Sequence, residues 1–136
     1  MNFFRHFLFC ALIATLFSAC EDDPETVPEG TVRLIINVNH HGYPIAHARI
    51  FRENGTMIYP GEDTTIYDAR YVADANGNLT ISDVGNGTKE IVLYALGFDP
   101  TWDTTIITPV SGYQMVRVIT AIGESKDVVV MVPVSE

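Results

Sequence analysis

The sequence predicts an all-β domain, a single Greek-key β-sandwich of about seven or eight strands. Three observations predict it. From Thr31 onward the chain is dense in β-branched and aromatic residues in alternating runs. Clusters of Gly, Asn, Asp and Pro interrupt these runs at intervals of about 8–12 residues, the rhythm of sandwich turns. No stretch of about ten residues repeats its apolar positions with helical period.

Thr31 to Asn39 alternates, with Val32, Leu34, Ile36 and Val38 on one face and Arg33 and Asn37 opposite, as a half-buried strand should. His40 to Pro44 reads as a turn, and Ala46 to Glu53 as a second strand with Ala48 and Ile50 inward. Asn54-Gly55 is a strong two-residue hairpin signal, because both central positions of such a turn take positive φ. It predicts a short returning strand over Thr56 to Tyr59, closed by Pro60-Gly61-Glu62-Asp63. Thr65 to Ala73 reads as the next strand, followed by an Asp74–Asn78 turn and a short Leu79–Ser82 strand. After Gly85-Asn86-Gly87, Glu90 to Leu96 places Ile91, Leu93 and Ala95 on one face. Gly97 to Ser111 reads as a long loop, and Gly112–Ala121 and Asp127–Val134 as a final hairpin. The run Val128-Val129-Val130-Met131-Val132 is apolar on both faces, which predicts a strand with neighbours on both sides.

Ahead of the domain stand two further segments, 1–19 and 20–30. Arg5 precedes an almost unbroken apolar run from Phe7 to Phe17, then the small residues Ser18 and Ala19, the three parts of a signal peptide. A run of about 11 residues is too short for a bilayer core, which takes roughly 20 in a helix. Leu16-Phe17-Ser18-Ala19-Cys20 resembles the lipobox of bacterial lipoproteins, with Phe17 where Leu is usual. The resemblance implies a lipid, palmitate or a similar chain, on Cys20 and anchorage in the outer membrane. Cleavage after Cys20 in ordinary secretion is the alternative. Glu21-Asp22-Asp23 resembles the acidic export signal of Bacteroidota-type surface lipoproteins, which implies display at the cell surface; the periplasm-facing leaflet is the other destination. Residues 20–30 are rich in acid and Pro, as a flexible tether should be.

Composition narrows the function classes. The formal charge is −9 and the few Lys and Arg are scattered, so nucleic acid, which needs a clustered basic surface, is excluded as a partner. Of the two cysteines, Cys10 lies in the leader and Cys20 at its end, so the domain must be held by its core without a disulfide. No G-x-S-x-G, H-E-x-x-H or paired-carboxylate pattern is present, and the expectation is a protein that is not an enzyme and holds no cofactor. His40, His41 and His47 read as polar turn residues rather than metal ligands, since neighbouring side chains point apart. Asp74-x-Asn76-x-Asn78 begins like a calcium loop, but Gly85 stands where the closing Glu belongs. The expected binding residues are Tyr94, Phe98, Trp102 and Tyr113, in or beside the long loop, where aromatics among acids suit a sugar ring or a protein partner. Trp102 serving as a plug of the core is the competing reading.

Gly42-Tyr43-Pro44-Ile45-Ala46-His47-Ala48-Arg49-Ile50 resembles the opening "G-x-P-I-A-x-A-x-V" of carboxypeptidase-regulatory-like domains. Ala73-Asp74-Ala75-Asn76-Gly77-Asn78-Leu79, Gly87-Thr88-Lys89-Glu90-Ile91 and Leu96-Gly97-Phe98 resemble the motifs that follow, with Lys89 where that family has an aromatic. The resemblance spans Val32 to Phe98 and implies a prealbumin-like (transthyretin-like) sandwich serving as a binding, adhesion or assembly module. An accessory glycan-binding protein of a polysaccharide-utilisation system is the second functional expectation. Asp63-Thr64-Thr65 and Asp103-Thr104-Thr105 resemble a Bacteroidota-type O-glycosylation sequon, which implicates Thr64 and Thr104.

Overall fold

In the computed structural model, residues 30–99 and 107–136 are described. They form eight strands and no helix: β1 (Val32–His40), β2 (Tyr43–Pro44), β3 (Arg49–Asn54), β4 (Ala69–Val72), β5 (Asn78–Ile81), β6 (Gly87–Asp99), β7 (Thr108–Thr120) and β8 (Lys126–Pro133). The expected all-β sandwich is what these strands build. In the first sheet β1 pairs antiparallel with β5 and β2 along one edge, and parallel with β8 along the other. The second sheet runs β4-β3-β6-β7, all antiparallel.

The core lies between the sheets and follows the alternation. Val32, Leu34, Ile36 and Val38 from β1 meet Ile91, Leu93 and Ala95 from β6, all buried, and Ile50 and Val118 close the layer. The chain passes between sheets four times, through 45–48, 73–77, 82–86 and 121–125. Asp74 fixes one crossing: its Oδ1 accepts the backbone N–H groups of Asn76 and Asn78 at 2.8 and 2.9 Å. Those lone pairs hold an Asx turn.

Several expectations are corrected. His40 ends β1 and is buried, and the turn is His41-Gly42, with φ of 49° and 85°; positive φ at both positions makes it a tight hairpin to Tyr43-Pro44. The second strand starts at Arg49, because His47 turns the chain with φ 56°. Asn54-Gly55 does not make a hairpin: no strand forms over 56–59, and β3 pairs with β4, which begins at Ala69 rather than Thr65. Asp68 decides this by accepting both the backbone N–H and the side-chain amide of Asn54, which returns the chain to β3 only after a long excursion.

Of the expected Gly97–Ser111 loop, the described residues are strand on both sides, 97–99 and 108–111. β6 continues to Asp99 and β7 begins at Thr108, paired down to Asp99↔Thr108. Gly97 fits this pairing because a Cβ there would come within 2.3 Å of the buried Ile45 side chain. β7 and β8 are not a hairpin, since β7 closes the second sheet and β8 joins the first. β8 is also not central: among the described residues its paired strand is β1 alone. Val130 and Val132 face the core, while Val129 and Met131 are 78% and 61% exposed.

Candidate recognition face

Register places the site. Phe51 on β3 lies opposite Tyr94 on β6, and Tyr94 opposite Tyr113 on β7. Ile50, Leu93 and Ala95 point into the core, so alternation sends this aromatic row to the outer face of the second sheet. The 55–68 segment folds across that face. Its Tyr59 stacks on Tyr113, with ring centroids 4.2 Å apart and planes within 5°, and meets Tyr94 at 5.6 Å. Tyr67 stacks on Tyr94 at 5.9 Å and tilts against Phe51 at 5.9 Å. The Arg70 guanidinium lies 5.7 Å over the Phe51 ring, a cation–π arrangement.

This cover explains why β6 is buried from Ile91 to Ala95 on both faces. It also perturbs the phenols. Burial, with Tyr94 and Tyr67 close by, pushes the Tyr59 hydroxyl well above its ordinary range. Burial beside Tyr94 and Glu53 pushes Tyr67 up to about 12. Both therefore stay neutral hydrogen-bonding groups at physiological pH. Tyr67 donates its hydroxyl to the Gly61 carbonyl at 2.8 Å, tying the excursion to itself.

Three of the expected binding residues share this face. Tyr94 is its buried floor, Tyr113 is 44% exposed at its rim, and Phe98, further along β6, is 57% exposed. Tyr94 and Tyr113 therefore sit within paired strands rather than in a loop. Trp102, Thr104 and Cys20 lie outside the described residues, as do the leader and nearly all of the tether. Thr64 is half-buried, and Asp63 before it is engaged by Thr65, whose backbone N–H and hydroxyl both donate to Asp63 Oδ1 at 3.0 and 2.6 Å. Phe51, Tyr59 and Tyr67 belong to the site and are absent from the sequence expectation. The alternation of Phe51 against Ile50 signalled the first; nothing local signalled the other two, because their role depends on where the excursion lands.

Two polar groups sit apart from the aromatic face. His40 and Asp99 are both buried, and His40 Nδ1 contacts the Asp99 carboxylate. This corrects the reading of His40 as a turn residue. The pair joins the end of β1 to the end of β6 and so clamps one sheet to the other. Arg52 spans the opposite side: it pairs with Asp83 through two bonds of 2.7 and 3.0 Å and lies 5.6 Å over Tyr71. Its bonds hold the Asp83 carboxyl below the usual range. Among the described residues, no three His, Cys, Asp or Glu side chains converge as a metal site would need.

No protein-family model matches the chain, and no curated protein matches its sequence.

Proposed function

We propose that this chain is a non-enzymatic cell-envelope lipoprotein, anchored in the outer membrane through Cys20, whose sandwich binds a partner in adhesion or assembly. The observation that carries the reading is the aromatic face, where Tyr59 and Tyr113 stack at a rim that leaves Tyr113 nearly half exposed. Buried aromatic floors with amphipathic rims are where binding energy concentrates. The strand order supports a prealbumin-like sandwich of the carboxypeptidase-regulatory-like kind: β1 lies between antiparallel β5 and parallel β8, over a β4-β3-β6-β7 sheet. The leader, the lipobox-like junction and the acidic tether support surface display, with the periplasm-facing leaflet as the other arrangement.

Flat exposed tyrosine rings also suit the apolar face of a sugar, which favours an accessory glycan-binding role as the second reading. One experiment separates the two. A photo-crosslinking amino acid replaces Tyr113 in cells, with Thr80 on the other sheet as control, and the purified chain is titrated with a panel of oligosaccharides. The assembly reading expects a protein adduct from position 113 alone. The glycan reading expects saturable oligosaccharide binding that Tyr113→Ala weakens about tenfold, the worth of one lost aromatic contact. Neither response from position 113 contradicts both, and palmitate label entering Cys20→Ser as readily as the wild-type chain contradicts the anchor.

A further inference from the structure

The turn that follows β7 carries an apolar residue where turns are ordinarily polar. The Glu124 N–H donates to the Ala121 carbonyl at 3.1 Å, which makes 121–124 a β-turn with Ile122 and Gly123 at its centre. Gly123 has φ 79°, the left-handed position that a type II turn gives to glycine. Further bonds fix the turn. The Asn86 side-chain amide donates to the Glu124 carbonyl at 2.7 Å, and its oxygen accepts the Gly123 N–H at 3.3 Å. The Glu124 carboxylate accepts the Ala121 N–H at 2.7 Å. Turn corners ordinarily take Gly, Pro, Asn, Asp or Ser. Here Ile122 stands at the corner, 82% exposed, more than any other large apolar side chain among the described residues, and Ile119 just before the turn is 63% exposed.

Gly30 packs on this same turn. A Cβ on Gly30 would lie 2.0 Å from the Glu124 carbonyl oxygen and 2.5 Å from the Gly123 carbonyl carbon, so the chain enters the domain against residues 123 and 124. Thr31 holds it there, its carbonyl accepting the Lys126 N–H at 3.0 Å and its N–H donating to the Ser125 hydroxyl at 3.2 Å. Cys20 stands ten residues back. Even fully extended, ten residues reach about 36 Å at most. The 13 residues of β7, which ends at this turn, span roughly 43 Å at about 3.3 Å per residue. A chain anchored at Cys20 therefore cannot stand on its far end, where His41, Tyr43 and Phe98 lie, because the tether is shorter than the sandwich.

We propose that the corner formed by Ile119 and Ile122 rests in the lipid surface beside the anchor and turns the far end of the domain outward. This rests on the Cys20 anchor proposed above. The tether argues for lipid as the occupant: it ends on the turn that carries Ile122 and keeps that turn within its own reach of the bilayer. Such confinement raises the effective concentration of the corner at the surface, so a contact too weak to hold a free protein suffices. A second copy or a soluble protein would gain nothing from that placement. The chemistry agrees. Isoleucine side chains enter the boundary between headgroups and acyl chains by virtue of their apolar area. The acids near the corner are engaged within the domain: Glu124 as described, Asp127 by Arg33 at 2.7 and 2.6 Å, and Glu90 by Arg117 at 2.6 Å. Residues 21–29 hold five acids, which oppose an anionic surface. The contact therefore depends on the two isoleucines rather than on lipid charge.

Amide NMR of the lipidated chain in phosphatidylcholine nanodiscs tests it, with a nitroxide on a fraction of the lipid headgroups. The amides of Ile119, Ile122 and Gly123 should lose most of their intensity, while those of His41, Tyr43 and Phe98 keep theirs. Ile119→Ser/Ile122→Ser should leave circular dichroism unchanged, since both positions are exposed, and should recover much of the intensity at the turn. A lipidated wild-type chain that loses intensity equally at both ends overturns the proposal and leaves the anchor standing. A loss at the turn that the double variant retains also overturns it, because the tether alone then sets the distance. Broadening at the turn that is as strong without the nitroxide marks a second copy instead and overturns it as well. A chain that carries no lipid and leaves the discs removes the Cys20 reading, and the proposal with it.

Discussion

Replacing His40 with alanine should lower unfolding stability by about 1–3 kcal/mol, the cost of losing a buried side chain and its hydrogen bond to Asp99. His40 and Asp99 are 8% and 6% exposed, so water cannot fully replace the lost contact. The two residues come from different sheets, and the effect is on the clamp between them rather than on either ladder. In urea the transition midpoint should fall with the slope unchanged, since the surface exposed on unfolding is the same. His41→Ala is the control. Its ring lies only 4.3 Å from His40, but the residue is exposed, and a shift within about 0.5 kcal/mol is expected. Because His40 and Asp99 act as a pair, His40→Ala with Asp99→Ala should cost less than the sum of the two single changes. A His40→Ala midpoint that matches His41→Ala would show that the clamp contributes nothing.

Leu93→Ala should cost about 2–5 kcal/mol, the range for a buried leucine whose removal leaves a cavity. Leu93 is fully buried in the middle of β6, flanked in register by Arg52 and Gln114. Its neighbours are held in two ladders and cannot collapse into the space, which places the expected value in the upper half of that range. Val129→Ala on exposed β8 removes apolar atoms of similar kind and should change monomer stability by less than about 0.5 kcal/mol. Chemical denaturation at a concentration that keeps the chain monomeric reads both. Equal losses at the two positions would mean that the inside and outside of the sandwich are wrongly assigned.

These two predictions rest on different parts of what the sequence makes legible. The inward faces of β1 and β6 are written plainly, because period-two alternation follows from the geometry of a strand. Val32, Leu34, Ile36 and Val38 are buried as that alternation requires. The His40–Asp99 pair was not legible: its members stand 59 positions apart, and neither has a neighbour in sequence that announces the other. Asn54-Gly55 misled for a related reason. Its local preference for a hairpin is real, but tertiary contacts of Tyr59 and Tyr67 with Tyr94 and Tyr113, and the bonds from Asn54 to Asp68, outweigh it. Tyr94 and Tyr113 are expected as binding residues for a place in or beside a loop; what unites them is a cross-strand register that no local pattern encodes. Val128–Val132 is expected as a strand with two neighbours, and among the described residues one strand, β1, pairs with it.

The claim beneath the corrected topology is that β8 pairs along one side, with β1. Amide hydrogen exchange along β8, measured residue by residue at low concentration, tests it most directly. Protection should alternate, with Val128, Val130 and Val132 slow and Val129 and Met131 fast. Uniform protection from Val128 to Val132 at the lowest concentration would contradict the account, because it would place a second strand beside β8 within the single chain.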